Sequence, residues 1–308
     1  MKKITGHPNE KGFGRRAFLK LSGASVMLSY LASNVKSAFG YGSSVSTSEI
    51  TKKYWYGPED KIDEQYCIQD TVDDSQADQG YIWAMVDGWW RKFAIQELDN
   101  GFREWNLNER VQVLEQVREG KLPVGGPILP TVASYGNRRG RLDSRFHLNC
   151  AVKGMELCPK KEYAQDIIAN LKETWNAPYD TKLDYLEEIY SNRDLWSWDR
   201  HLSAEMFTTP LFETHSFLNQ MENPISTLSF LSTTTLTHYE VRSIVRLIHP
   251  LDPNVSEEEK EFISFSAYTH DYFHGGSDEG KLIRAIYYHI EEFDNTPGQY
   301  PGQKVVPD

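Results

Sequence analysis

The feature that most constrains the fold is the apolar periodicity of the second half of the chain. From residue 160 onward, apolar side chains recur at intervals of three and four residues, the spacing of one face of an α-helix. A capping-box pattern, Ser256 with Glu259, and a Gly pair after residue 274 mark the start and end of one segment. The periodicity predicts helices over 160–175, 181–191, 200–222 with a break near Pro210, 226–249, 256–274 and 278–293.

The first half of the chain is expected to contain more loops. Residues 79–98 are predicted to form a helix interrupted at Gly88, and residues 108–121 a helix that ends near Gly120. Gly and Pro punctuate residues 122–149. The fold class is therefore predicted to be mainly α, an irregular helical bundle with a loop-rich N-terminal part. The predicted organisation is a leader at 1–40, a linker at 41–60, a single mostly helical domain at 61–300 and a tail at 301–308.

The first forty residues have the order of an export signal. Arg15 and Arg16 precede a weakly apolar run from about residue 21 to 32, and small residues follow at Ala38 and Gly40. This leader resembles a twin-arginine, Tat-type signal peptide. Its apolar run is shorter than the roughly twenty residues that span a bilayer, so no stable membrane span is expected. The resemblance implies export in the folded state by the Tat translocon and a periplasmic location.

Charge and motifs exclude several functions. The net charge is −11, and residues 1–40 hold seven Lys/Arg and one Glu, which leaves about −17 for the remainder. Such a charge disfavours nucleic acid and anionic membranes as partners. The sequence has no CxxCH motif for covalent haem and no phosphate-binding glycine motif. Cys150 and Cys158 could pair and leave Cys67 over, or all three could be buried thiols.

A basic patch stands out in the acidic chain. Arg138, Arg139, Arg141 and Arg145 lie in one loop, where they are expected to pair with internal carboxylates or to receive an anionic ligand.

Histidine is distributed unevenly. Seven of the nine histidines fall after residue 200, and four predicted helices each carry one on an apolar stripe. A buried imidazole needs hydrogen-bond or metal partners for its ring nitrogens. Several such rings inside one bundle predict a metal or cofactor site.

Spacing selects the candidate ligands. His270 and His274 lie one helical turn apart and could chelate one ion. A donor set of imidazoles and carboxylates suits Fe, Cu, Mn or Zn, and a b-type haem is a further possibility. The predicted ligands are His270, His274, His215, His238 and His289, and the possible supporting residues are His201, Glu205, Glu213 and Glu240.

Two functions are compatible with these patterns. The first is a periplasmic metalloprotein, an oxidoreductase with a His-rich metal or haem site. The alternative is a cofactor-free small subunit that escorts a periplasmic flavin- or metal-dependent dehydrogenase. Under the alternative, the aromatic stretch with Trp83, Trp89 and Trp90 covers the partner and the histidines are ordinary polar packing. A hydrolase ranks last, because no GxSxG or paired-carboxylate motif is present.

Overall fold

The protein is mixed α/β and rich in antiparallel sheet. A computed structural model describes residues 53–121, 125–136, 146–203, 206, 208–273, 282–298 and 300–307. The strands are β1 Trp55–Tyr56, β2 Tyr66–Cys67, β3 Val72–Asp73, β4 Tyr81–Val86, β5 Trp89–Ala94, β6 Thr131–Tyr135, β7 Leu148–Val152, β8 Met155–Pro159, β9 Trp196–Ser203, β10 Ile225–Leu231, β11 His238–Ile248, β12 Arg284–Asp294 and β13 Gln303–Val306. The α-helices are α1 Asn100–Arg118, α2 Lys161–Glu173, α3 Tyr179–Ser191, α4 His215–Glu222 and α5 Glu257–Asp271.

An eight-stranded antiparallel sheet dominates the fold. Its strand order is β7-β6-β10-β11-β12-β9-β8, and β13 pairs with β12 beside this path. Strands β3, β4 and β5 form a separate three-stranded sheet, and β1 pairs with β2. We call the face of the main sheet that carries Val241, Ser243 and Val245 of β11 the inner face. Residues paired across antiparallel strands share a face, so the strand register fixes which side chains meet there.

Helices cover both faces of the main sheet. On the inner face, Phe102 of α1 packs against Phe230 and Tyr239 at ring-centroid distances of 5.2 Å each. Gln220 of α4 donates a 2.9 Å hydrogen bond to the hydroxyl of Ser226 on β10. On the opposite face, Glu259 of α5 accepts a 3.1 Å hydrogen bond from Arg246 of β11.

The prediction of a mainly α fold was wrong. Helices do form near 108–121, 160–175, 181–191 and 256–274, but residues 226–249 form β10 and β11, and residues 278–293 overlap β12. The segment 200–222 begins in β9 and ends in α4. Strands β11 and β12 have buried side chains on both faces over much of their length. Apolar residues from both faces therefore also gave these segments the three-and-four spacing of a helix.

Residues 79–98 form the β4–β5 hairpin, not a helix. The two strands join through Asp87 and Gly88, which have φ angles of 53° and 81°. Two successive positive φ angles characterise the two-residue turn whose twist matches a hairpin, and Asp-Gly is a preferred sequence for it. Gly88 therefore ends a strand pair rather than interrupting a helix. The predicted irregular tail likewise contains β13, and the predicted linker contains β1.

The predicted capping box is confirmed. The Ser256 hydroxyl accepts a hydrogen bond from the Glu259 backbone N–H, and the Glu259 carboxylate accepts one from the Ser256 N–H, which completes the capping box. The predicted pairing of Cys150 with Cys158 is wrong, because all three cysteines are free thiols and these two lie on the opposite end strands of the main sheet. The alternative of three buried thiols is also wrong, because Cys150 is exposed. No helix within the described ranges is long and apolar enough to cross a membrane. The leader and the basic patch lie outside the described residues.

Candidate functional site

Two imidazole rings meet in the core of the main sheet. His201 of β9 and His289 of β12 are both fully buried, and Nδ1 of His201 lies 2.8 Å from Nε2 of His289. The strand register explains the contact. Tyr287 pairs with His201 and His289 pairs with Ser243, so both imidazoles lie on the inner face.

The hydrogen bonds define the proton positions on both rings. Nδ1 of His289 lies 3.1 Å from the Trp198 carbonyl oxygen, which can only accept, so this Nδ1 carries the proton. In a neutral ring Nε2 of His289 is then the acceptor, and Nδ1 of His201 donates to it. This leaves a lone pair on Nε2 of His201. That buried atom has no hydrogen-bond partner in the described part of the chain.

Burial keeps both rings neutral. It lowers the pKa of His289 from 6.5 to about 4. The pKa of His201 is lowered well below its ordinary value, first by burial and then by His289 and Arg110. Apolar rings surround His201: its centroid lies 5.9 Å from that of Phe102 in an edge contact and 5.4 Å from that of Phe230. A charged imidazolium would be poorly solvated there.

A buried carboxyl group shares the inner face. Glu292 is fully buried, and its Oε2 accepts a 2.7 Å hydrogen bond from the Asp99 backbone N–H just before α1. Its Oε1 has no hydrogen-bond partner among the described residues. Burial raises the pKa of this carboxyl group to about 7. The group therefore lies near the midpoint of its titration at neutral pH.

A β-bulge brings Glu292 to this face. Arg242 pairs with Glu291 and the next residue, Ser243, pairs with His289, so Ile290 is an extra residue on β12. Residues three apart in a regular strand point to opposite faces. The extra residue restores His289 and Glu292 to the same face, opposite Ser243 and Val241 respectively.

The other predicted site residues in the described part of the chain lie elsewhere. His215 is the first residue of α4, and Nδ1 of His270 lies 2.8 Å from the Asp271 carboxylate on α5. His238 begins β11 and bonds to the Ser229 hydroxyl at 2.8 Å. Glu240 accepts from Arg242 at 2.9 Å, and Glu213 accepts from the Trp55 indole at 3.2 Å. His274, Glu205, Arg15 and Arg16 lie outside the described residues.

The described donor atoms do not fit a metal centre with several protein ligands. Catalytic metal sites commonly use three protein ligands. No group of three or more His, Cys, Asp or Glu residues is arranged to hold an ion within the described ranges. Nε2 of His201 is a single nitrogen without a partner among the described residues, on a fully buried ring. We therefore derive no chemical step through a metal or haem at this pair.

Sequence reasoning missed the central pair. His289 was predicted as a ligand on a helix, and His201 as a supporting residue because Glu205 follows it by four positions. On strands, the relevant signal is alternation. Trp196 and Trp198 are both buried in β9, and aromatic residues precede His289 in β12. Aromatic content of this kind is typical of strands.

A second candidate site is the outer face of the β4–β5 hairpin. Register pairs place Tyr81, Trp83, Met85, Trp90 and Lys92 on one face, which we call the aromatic hairpin face. Ile82, Ala84 and Val86 point the other way and are buried. Trp83 is 38% exposed and Trp90 47% exposed. The Lys92 ammonium lies 3.3 Å from the centre of the Tyr81 ring, a cation–π contact that fixes its position.

Comparisons with known proteins do not identify the chain. No known protein family matches it, and no curated protein matches it either. One solved structure that is similar in part is that of tagged HupZ from Group A Streptococcus, determined at 1.70 Å. It is 11% identical, the alignment covers 56% of this chain and 90% of the HupZ chain, and the TM-score is 0.31. A likeness at that level carries no argument about fold or function.

Proposed function

We propose that this protein is a binding subunit without a catalytic centre of its own, which escorts a larger dehydrogenase subunit through export. The observation that carries the proposal is the aromatic hairpin face. Large aromatic side chains are enriched where proteins bind one another. Here, two tryptophans remain solvent-exposed on a hairpin whose other face is buried along β4, through Ile82, Ala84 and Val86.

Charge favours a particular kind of partner surface. The chain carries a net charge of −11, yet the aromatic hairpin face carries the basic residue Lys92 beside Trp83 and Trp90. A partner with an apolar pocket and an acidic rim is complementary to this face. Strand β5 also ends the three-stranded sheet, and no strand among the described residues pairs with its outer edge, so this edge can contribute to the same contact.

The Tat-type leader gives the proposal its biological setting. A leader that exports folded protein can carry a bound second subunit across the membrane with it. On this proposal, the His201–His289 pair has a structural role, because both rings are fully buried and bonded to each other.

The test is purification of the protein from its native cells, followed by identification and stoichiometry of bound subunits. The parent chain is expected to copurify with one dehydrogenase subunit in a fixed ratio. The double variant Trp83→Ser, Trp90→Ser is expected to lose it. Trp89→Ser is the matched control, because Trp89 is 72% exposed but lies on the other face of β5. Purification without a stoichiometric subunit, or a complex that the double variant retains, refutes the proposal.

A metalloprotein oxidoreductase is the second candidate. One observation favours it: Nε2 of His201 has a free lone pair, and the ring is oriented through Nδ1 by His289, as metal-binding imidazoles usually are. Elemental analysis of protein matured in the cell separates the two proposals. A stoichiometric transition metal that is lost in His201→Ala supports the second candidate, and a metal-free complex supports the first.

A further inference from the structure

We propose that two copies of this chain associate through their β7 strands, forming one continuous sheet across a two-fold axis. Strand β7 is Leu148–Val152, and it ends the main sheet on the side away from β6. No strand pairs with its free edge in the described part of the chain. An open edge of this kind is a template for another strand.

The hydrogen-bond pattern shows which backbone groups face the free edge. The Gly136 N–H donates to the His147 carbonyl at 3.1 Å, and the Lys153 N–H donates to the Pro130 carbonyl at 3.0 Å. Both bonds join β7 and its flanks to β6 and its flanks. Successive residues of an antiparallel strand point their backbone N–H and C=O groups to opposite sides, so those of Asn149 and Ala151 also face β6. The N–H and C=O groups of Leu148, Cys150 and Val152 therefore point outward from the sheet edge.

The same three residues present apolar side chains to solvent. Leu148 is 67% exposed, Val152 is 55% exposed, and Cys150 is an exposed free thiol. All three lie on one face of the sheet, because they alternate along β7. The patch therefore combines apolar side chains with backbone N–H and C=O groups that face outward. An added strand can contact both, whereas a charged surface would bury the apolar side chains against charge.

Self-complementarity points to a second copy as the occupant. An antiparallel pair centred on Cys150 sets each Leu148 opposite the Val152 of the other copy, and the two Cys150 residues opposite each other. Such a pair repeats the same patch on both molecules, as a two-fold interface requires. The strand contains no charged residue, although the whole chain has a net charge of −11. It is therefore a site where two acidic molecules can approach without placing like charges opposite each other.

The central thiols provide a geometric reporter. Opposing residues that exchange both backbone hydrogen bonds have Cα atoms about 5.5 Å apart. A disulfide spans Cα separations of roughly 4.4–6.8 Å. Oxidised glutathione should therefore link the two Cys150 side chains: two protein thiols lose two electrons and two protons, and one glutathione disulfide becomes two glutathione thiols.

The test measures solution mass and crosslinking of the purified chain. In reducing buffer, sedimentation velocity is expected to give twice the chain mass. Leu148→Lys is expected to lower the association constant about 100-fold. The two-fold axis places a lysine without an acidic partner at two symmetric positions of the interface, and each lysine lowers the constant about tenfold. Leu211→Lys is the matched control, because Leu211 is 55% exposed and lies outside the sheet. Its association is expected to equal that of the parent.

Crosslinking of the unsubstituted chain keeps the test independent of variant folding. Oxidised glutathione is expected to give a covalent dimer in which peptide mapping finds Cys150 joined to Cys150. Cys150→Ser is expected to remain a dimer in reducing buffer but to give no covalent product. A monomer at every concentration, a dimer unaffected by Leu148→Lys, or a glutathione adduct on Cys150 in place of the covalent dimer overturns the proposal.

Discussion

The buried His289 makes a quantitative prediction about stability and pH. The pKa of His289 is about 4 in the folded protein, against the ordinary value of 6.5 in the unfolded chain. The unfolded chain therefore takes up a proton at this residue before the folded protein does. Stability from a neutral buried imidazole is present above about pH 6.5 and is lost as the pH falls toward 4. The difference between the two pKa values corresponds to about 3 kcal/mol in the free energy of unfolding, of which about 2 kcal/mol is lost when the pH falls to about 5.

The perturbation is His289→Gln, which keeps a polar side chain that can both donate and accept but does not titrate. Urea unfolding of parent and variant at about pH 7.5 and pH 5 gives four free energies of unfolding. The variant is expected to be less stable than the parent at the higher pH, because it disturbs the contacts to Trp198 and His201. The deficit is expected to shrink by about 2 kcal/mol at the lower pH.

The comparison isolates the imidazole, because every other titrating group is present in both proteins. Leu211→Gln serves as the control, since Leu211 is exposed and neither side chain titrates, so this change is expected to alter the free energy of unfolding equally at both pH values. A deficit for His289→Gln that stays constant between the two pH values would mean that the buried ring is not held neutral. The derived proton positions on His201 and His289 would then be wrong.

Three further predictions concern neighbouring features. Glu292→Gln should show the opposite pH dependence, because burial raises the pKa of the carboxyl group from 4.5 to about 7, so its stabilising contribution is present below pH 4.5 and is lost as the pH rises through 7. In the same urea assay, the stability advantage of the Gln variant at about pH 7.5 should shrink by about 2 kcal/mol at about pH 5. Ser256→Ala removes the hydroxyl that accepts from the Glu259 N–H, and should cost about 1 kcal/mol in urea unfolding, whereas Ser256→Gly should cost only a few tenths. Gly88→Ala should cost about 1 kcal/mol of stability and lower the melting temperature, because Gly88 has a φ of 81°, which an alanine rarely adopts. Nothing lies within 4 Å of an added Cβ, so the penalty is conformational rather than steric, and an unchanged melting temperature would contradict the turn assignment.

Helices with one solvent-facing side could be predicted from the sequence. In α2, Ile167, Ile168 and Leu171 are buried among exposed polar residues, so the three-and-four spacing carries real information. The capping residues of α5 could be found in the same way. The hairpin could also have been predicted, because Asp87 and Gly88 form a preferred turn sequence between two short runs rich in aromatic residues.

Strands buried on both faces could not be distinguished from helices by spacing. In β12, six consecutive residues from Arg284 to His289 are buried. Such a run contains apolar residues at every interval, so it fits a helix and a strand equally well. Composition was the better guide, since β11 and β12 are rich in Val, Ile and Tyr.

The candidate site depends on information that spacing does not contain. His201 and His289 are 88 residues apart, and they meet only because β9 and β12 are neighbours in the sheet. Glu292 reaches the same face only because Ile290 is an extra residue, and a regular strand would have turned its carboxyl group to the opposite face. Deleting Ile290 should therefore keep Glu292 on this face, because the carboxyl group then follows His289 by two positions, which is the spacing of one face of a regular strand. Urea unfolding of the deletion variant is expected to retain both the acid-induced loss of stability from His289 and the opposing contribution from Glu292. A deletion variant that loses the contribution from Glu292 would show that Ile290 is not the extra residue opposite Arg242 and Ser243.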